Sequence, residues 1–281
     1  SRSAQHGTLA VVDEILRQLT PGARILDLGS QRGSFARPPS MLTVRLDLEG
    51  SPDVRADAAH LPFAASTFDA VIANHSLEHF IELDAVLAEI RRTLKPQGLL
   101  FISVPDASTL TDRIYRWLAH GGGHVNPFTS APALIKRIEQ SIGVGFAGGR
   151  YLFSSFSFLN ERNLGRAYPR RMLLFANGRE PFLRWFSYLL RRLYPPWALY
   201  GWALYFGPVT EEIGAEAWTN ACLRCGSGHP EAWLLPILQG RRYACPACGA
   251  INLFTHDSAF LSTIENCPAS RSPLPPNPAL P

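Results

Sequence analysis

Lysine is almost missing from this 281-residue chain: Lys95 and Lys136 are the only two, so the formal net charge of +4 rests on arginine. Long apolar runs are missing as well. The most apolar pieces, around Phe182–Leu193 and Trp197–Phe206, fall short of the ~20 residues that a membrane-crossing helix needs. Ser1–Gly7 is polar and no apolar segment precedes the first helix pattern, so a secretory leader is not expected. The chain does not begin with Met, which leaves its true start open. Internal repeats are absent. Cysteine is scarce, but four of the five form two Cys-x-x-Cys pairs, a spacing that favours metal over disulfides and a reducing, cytoplasmic setting. With 46% hydrophobic and 18% charged residues the chain is globular rather than disordered. Its length suits one large domain and a small second one.

The first half alternates strand-like and helix-like segments, the mark of a parallel sheet covered by helices. Leu9, Val12, Ile15 and Leu16 have helical spacing; strands are expected over 24–28, 42–48, 68–73 and 99–104. Between the last two, Val86, Leu87, Ile90 and Leu94 share a helical face, closed by a Pro96–Gln97–Gly98 turn. A further helix is expected over 131–142, and strands near 143–153 and 172–176 would complete the sheet.

The first strand ends in Ile25-Leu26-Asp27-Leu28-Gly29-Ser30-Gln31-Arg32-Gly33. A carboxylate at the strand end, then a glycine loop into a helix, suits a nucleotide-like ligand. Glycine admits close backbone approach, and such ligands sit at this edge of an open α/β sheet. A dinucleotide fingerprint needs G-x-G-x-x-G, and Gln31 stands where its middle glycine belongs. Asp47 ends the second strand, 20 positions after Asp27, where it can accept from two ribose hydroxyls; Asp57 lies in a loop that can receive an adenine amine.

Asp27 to Gly33, Asp47, Asp57-Ala58, the run from Phe68 to His79 and Leu94-Lys95-Pro96-Gln97-Gly98-Leu99-Leu100 together resemble the class I S-adenosylmethionine-dependent methyltransferases. The ubiquinone/menaquinone-biosynthesis subgroup is the nearest resemblance, over about residues 5–153. The resemblance implies a Rossmann-like, doubly wound, mostly parallel seven-stranded sheet. It places the methionine moiety against Gly29, Ser30, Gln31 and Gly33, its amino group near Asp27, and the ribose at Asp47 with Leu48 beside it. Asp57 and the Ala58 backbone would read the adenine, and Asn74 and His75 would border the transferred methyl. Gln31 departs from the family's usual glycine and puts full activity in question.

An activated methyl group needs chiefly an aligned nucleophile, with a base only where the acceptor must lose a proton. His124, in the Gly121-Gly122-Gly123-His124 loop, and His79 are the candidate catalytic residues. The acceptor is expected to be a small or lipid-linked molecule methylated on oxygen, nitrogen or carbon.

From Arg150 to Phe206 nine arginines stand against Glu161 and Glu180, which points to an anionic partner. Residues 182–206 are read as an amphipathic appendage: a packing element, a peripheral contact with the inner membrane face, or a nucleic-acid groove in which aromatic and arginine side chains stack bases. Beyond it, Cys222, Cys225, Cys245 and Cys248, with 19 residues between the pairs, match a closed structural Zn²⁺ ribbon. A ribbon also admits a rival reading as an RNA methyltransferase or a non-catalytic interaction protein. The expected division is 1–178 for the cofactor domain, 179–214 for a helical appendage, 215–260 for the ribbon and 261–281 for a Pro-rich disordered tail.

Overall fold

The computed structural model describes residues 9–30, 33–118, 123–160, 180–210, 213 and 218–256. The expected strand at 172–176 and the Pro-rich tail lie outside these residues. Seven strands form one sheet: β1 (Arg24–Leu28), β2 (Leu42–Asp47), β3 (Val54–Arg55), β4 (Phe68–Asn74), β5 (Leu94–Pro105), β6 (Phe146–Phe153) and β7 (Leu199–Phe206). Their order is β3-β2-β1-β4-β5-β7-β6. β1 to β5 run parallel, and β7 is antiparallel to both of its neighbours. The doubly wound, mostly parallel sheet expected from the sequence is therefore present.

Side-chain alternation explains the two layers. Ile25 and Ile72 join Phe101, Ala203 and Tyr205 on one face, covered by Val12 and Ile15 of α1 (Leu9–Leu16). Leu26, Val71, Leu100, Ile102, Leu204 and Phe206 point the other way. There α2 (Leu83–Thr93) lays down Val86, Leu87 and Ile90, and α4 (Ala131–Ile142) adds Leu134 and Ile138. Each such buried aliphatic side chain contributes about 1.5–3 kcal/mol. α4 starts where Ser130 Oγ accepts from Ala133 N at 3.3 Å and stops at Gly143 in the left-handed conformation. The expected Pro96–Gln97–Gly98 turn is instead a bulge inside β5. The register steps from Phe68↔Leu94 to Ala70↔Leu99, so residues 95–98 loop out without ending the strand.

The core does not end at residue 178. Leu199–Phe206, expected in the helical appendage, is the strand that joins β5 to β6. All eight of its residues are buried. An apolar run with both faces covered shows no alternation, so its period does not separate strand from helix. Gly201 pairs with Pro105, and a Cβ there would stand 2.1 Å from the Val104 carbonyl oxygen; no larger residue fits without moving the sheet.

The remaining appendage is α5 (Glu180–Leu193), stopped by Pro195 and Pro196. Leu183, Phe186 and Leu190 pack it on Phe156, Phe158 and Leu159 and on α3 (Leu110–Leu118). Its other contacts reach the cysteine-bearing segment. Arg184 Nε donates to Ile251 O at 2.7 Å and Arg191 Nη2 to Leu253 O at 3.0 Å. Glu180 pairs with Arg224 at 2.7 and 2.9 Å. Arg150, 2% exposed, pairs with Glu14 and lies 4.0 Å over the Trp218 ring. The arginine bias therefore serves internal packing in part: Arg150, Arg184 and Arg191 each bind groups within this chain. Among the described residues, no helix is long and apolar enough to cross a membrane.

Candidate functional site

The parallel strands end together, and their carboxyl edge gathers the residues singled out from sequence. Asp27, in register with Arg45 and Ile72, is the penultimate residue of β1; Asp47 closes β2; Asn74 closes β4. Gly29 follows at φ 67°, and a Cβ there would meet Ser76 Cβ at 2.6 Å. The chain thus leaves β1 pressed against the end of β4, which only glycine permits. Ser30 and Gly33 continue the loop; Gln31 lies outside the described residues.

Asp27 is fully buried. Its Oδ2 accepts from Ser34 N at 2.9 Å, and Arg45 Nε stands 3.9 Å away. Burial pushes its pKa up to about 6, opposed by the Ser34 N–H, the Ser34 and Ser30 hydroxyls and Arg45. Ser76 Oγ is buried without a hydrogen-bond partner among the described residues, and Asp27 and the Ser30 and Ser34 hydroxyls are buried beside one another. Such a set of buried polar atoms fits a polar ligand. Asp47 Oδ1 accepts from Glu49 N, and Asp57 Oδ1 from Ala59 N, both at 2.9 Å. Each side chain thereby shapes its own turn. Leu48 is exposed and Ala58 buried beside them.

Past β4 the site becomes rich in imidazole. Asn74 Oδ1 accepts from Ser103 Oγ at 2.6 Å. His75 sits at φ 50°, a left-handed conformation that non-glycine residues adopt at a cost. Its Nδ1 lies 3.5 Å from Glu78 and 3.4 Å from the Tyr200 hydroxyl. His79 Nδ1 lies 3.0 Å from Gly123 O. His124 places Nδ1 3.5 Å from the buried Asp112, stacks on Tyr115 and meets the His79 ring edge-on at 5.1 Å. The two candidate catalytic histidines are thus neighbours, although 45 positions apart in the chain.

Glu78, Asp112, Tyr115 and Tyr200 escaped the sequence reading. Glu78 is visible only as the middle of Leu77-Glu78-His79, and Tyr200 lies in the stretch taken for an appendage. Burial alone would raise the Glu78 pKa, yet the carboxyl is held below its ordinary value because His75 and His79 stand beside it. Tyr200 is pushed well above its ordinary value by burial and by the Glu78 charge.

A second constellation lies alongside α5. Cys222, Cys225, Cys245 and Cys248 bring four sulfurs within 4.8 Å of one another. Two sulfur pairs stand at 3.6 and 3.7 Å. The two halves are built alike. Gly226 N donates to Cys222 O and Gly249 N to Cys245 O, both glycines at positive φ, and Cys222 N and Cys245 N donate to Ser227 O and Ala250 O to close the turns. The short pairs β8–β9 (Asn220–Ala221, Gly228–His229) and β10–β11 (Arg242–Ala244, Ile251–Leu253) carry these turns. His229 Nε2 and Asn252 Nδ2 reach the sulfurs of Cys245 and Cys222 at 3.2 and 3.5 Å.

A family profile described as "Methyltransferase domain" matches residues 34–102. Malonyl-[acyl-carrier protein] O-methyltransferase of Methylococcus capsulatus is 27% identical over 185 residues, 54% of this chain and 67% of that protein. Demethylmenaquinone methyltransferase of Corynebacterium urealyticum is 34% identical over 98 residues, 30% of this chain and 43% of that protein. Among solved structures, the chain is similar to phosphoethanolamine N-methyltransferase 2 of Haemonchus contortus in complex with S-adenosyl-L-methionine. That similarity has 16% identity and a TM-score of 0.46, over 73% of this chain and 52% of the other. The profile match at residues 34–102 and these two curated relatives, both named as methyltransferases, make the parallel half of this chain similar to methyltransferases that use an activated methyl donor.

Proposed function

We propose that the chain transfers a methyl group to an oxygen, nitrogen or carbon of a small or lipid-linked acceptor bound beyond β4. The observation that carries this reading is the pairing of the ligand-fitting edge at Asp27, Gly29 and Asp47 with the neighbouring imidazole cluster at His75, His79 and His124. Asp27 would hold the donor's ammonium group, Gly29, Ser30 and Gly33 its amino-acid part, Asp47 with Leu48 its ribose, and Asp57 with Ala58 its adenine. The bound donor supplies an already activated sulfonium methyl. The protein's part is then positioning, which is worth about 7–11 kcal/mol in well-oriented systems. Asn74 and His75 would face the methyl, the latter steadied by Glu78 and Tyr200. His79 and His124 would line the acceptor.

The lipid-linked alternative draws on α5. Phe182, Trp185, Leu189 and Leu193 are exposed along one side of it, with Tyr194 and Trp197 just after. Aromatic and leucine side chains in that arrangement suit the headgroup boundary of a membrane. The four cysteines we read as a structural zinc site. Tetrahedral Zn–S bonds of 2.3 Å require S···S separations of about 3.8 Å, which the pairs at 3.6 and 3.7 Å already approach.

Incubation with methyl-labelled S-adenosylmethionine and fractionated cell extract tests the acceptor class. Label in the lipid or small-molecule fraction supports the reading. Label confined to RNA favours a nucleic-acid substrate. No label in any fraction, from protein that binds the donor, overturns the catalytic claim.

A further inference from the structure

Beside the donor edge, Glu78, His79 and His124 each bring one ligating atom within 4.8 Å of the other two. Their hydrogen-bonding partners favour one nitrogen of each ring as the ligand. The Gly123 carbonyl, 3.0 Å from His79 Nδ1, accepts only, so Nδ1 carries the proton and Nε2 the lone pair. That Nε2 stands 4.0 Å from Glu78 Oε1. Asp112 faces His124 Nδ1 at 3.5 Å and favours the same tautomer there. An imidazole tied through one nitrogen to a carbonyl or carboxylate, with the other nitrogen free, is the arrangement that metal-ligating histidines adopt.

Glu78 adds an independent sign. It is 1% exposed, and its Oε2 is buried without a hydrogen-bond partner. Leaving a carboxylate oxygen so costs about 1–3 kcal/mol or more, a cost that a bound cation removes. The backbone holds the three donors in register. Val125 N and Asn126 N both donate to Glu78 O, at 2.8 and 3.0 Å. Asn126 Nδ2 donates to Leu77 O and Phe80 O, at 3.0 and 2.6 Å. The His124 loop is thereby stapled to the Glu78–His79 turn.

We propose that Glu78, His79 and His124 form a second metal site, for one divalent transition-metal ion, on the acceptor side of the cleft. Two imidazoles and one carboxylate suit zinc, iron, cobalt or manganese ions rather than Ca²⁺ or Mg²⁺, which take oxygen ligands. The ligand atoms draw together to about 3–3.5 Å when bonds of roughly 2.1 Å form, and the partly exposed His79 ring has the freedom to close. Unlike four thiolates, three protein ligands leave coordination positions open. An acceptor with a hydroxyl or carboxylate oxygen can take one, and a coordinated hydroxyl loses its proton more readily. This deepens the acceptor-side reading of His79 and His124 and depends on it only for the ion's catalytic use.

The test is titration of protein whose cysteine site is filled with zinc, using Co²⁺ and following the visible d–d bands. The expected result is one equivalent bound without the near-ultraviolet thiolate band, and affinity lowered at least about 10-fold in Glu78→Gln and His124→Asn. If either variant loses its cysteine-bound zinc or its fold, His79→Gln at the partly exposed ligand decides by the same criterion. No cobalt uptake by the parent, or uptake undiminished in the folded variants, overturns the proposal. Calorimetry with S-adenosylhomocysteine on the same samples keeps the two claims apart. Donor binding without cobalt removes only the metal site, and cobalt without donor binding removes only the methyltransferase reading.

Discussion

Acidification is expected to weaken donor binding through a single carboxylate. Asp27 is buried at the end of β1 with its pKa raised to about 6, so at pH 5 about nine in ten unliganded molecules carry a proton there. If only the ionised form receives the donor's ammonium, the Kd for S-adenosylhomocysteine rises about 10-fold between pH 7 and pH 5. That corresponds to about 1.4 kcal/mol. The same group acts in the opposite sense on the free fold. Its folded value lies above the unfolded 3.8, so its contribution to stability is complete below about pH 4. The contribution is lost as pH rises through about 6, and the full difference is about 3 kcal/mol. Saturating donor reverses that trend by favouring the ionised form. Calorimetry at pH 5, 6 and 7, in buffers of different ionisation enthalpy, reads both the affinity and the proton released on binding. Asp27→Asn should flatten the pH profile and abolish the proton release. A Kd constant from pH 5 to 7, or an identical slope in Asp27→Asn, would refute the reasoning.

Three other outcomes follow from particular contacts. Gly201→Ala forces a methyl group against the Val104 carbonyl and should cost about 1–3 kcal/mol or more in denaturant unfolding; an unchanged midpoint would show that β7 does not sit where the sheet places it. Metal analysis should find one zinc on the four cysteines. Its removal by chelator should raise hydrogen exchange across 219–256 while the parallel strands stay protected, and unchanged exchange would count against a structural metal. Replacing Phe182, Trp185, Leu189 and Leu193 with serine should abolish flotation with anionic liposomes without lowering the melting temperature; absence of flotation in the parent chain removes the membrane contact.

The parallel half of the fold was legible because its signals are local. The strands read over 24–28 and 68–73 and the helix read over 131–142 follow from apolar period, a short-range feature of the chain. The grouping of Asp27, Asp47 and Asn74 at the carboxyl edge was legible for a related reason: strand ends recur in order, and these residues lie at or next to three of them. What did not show was long-range. Leu199–Phe206 is apolar on both faces, so nothing in its pattern announces a strand inserted between β5 and β6, and its neighbourhood suggested a helix. Arg191 reads as a surface charge until the carbonyl of Leu253, 62 positions away, is seen to bury it. Glu78 belongs to the same class. Only the Val125–Asn126 staple, closing a loop of more than 40 residues, reveals that it is buried beside two histidines.

The central claim is that the carboxyl edge of this sheet binds the methyl donor. Calorimetric titration with S-adenosylhomocysteine at pH 7 tests it directly, with Asp47→Ala as the comparison. Asp47 lies at the end of β2, where its carboxylate accepts from Glu49 N, and the melting temperature of the variant checks that it folds. Loss of charge-assisted hydrogen bonds to two hydroxyls should weaken binding by about 10- to 100-fold. The account expects one site per chain and that loss of affinity at an unchanged melting temperature. No heat of binding in the parent, or binding identical in Asp47→Ala, would contradict it.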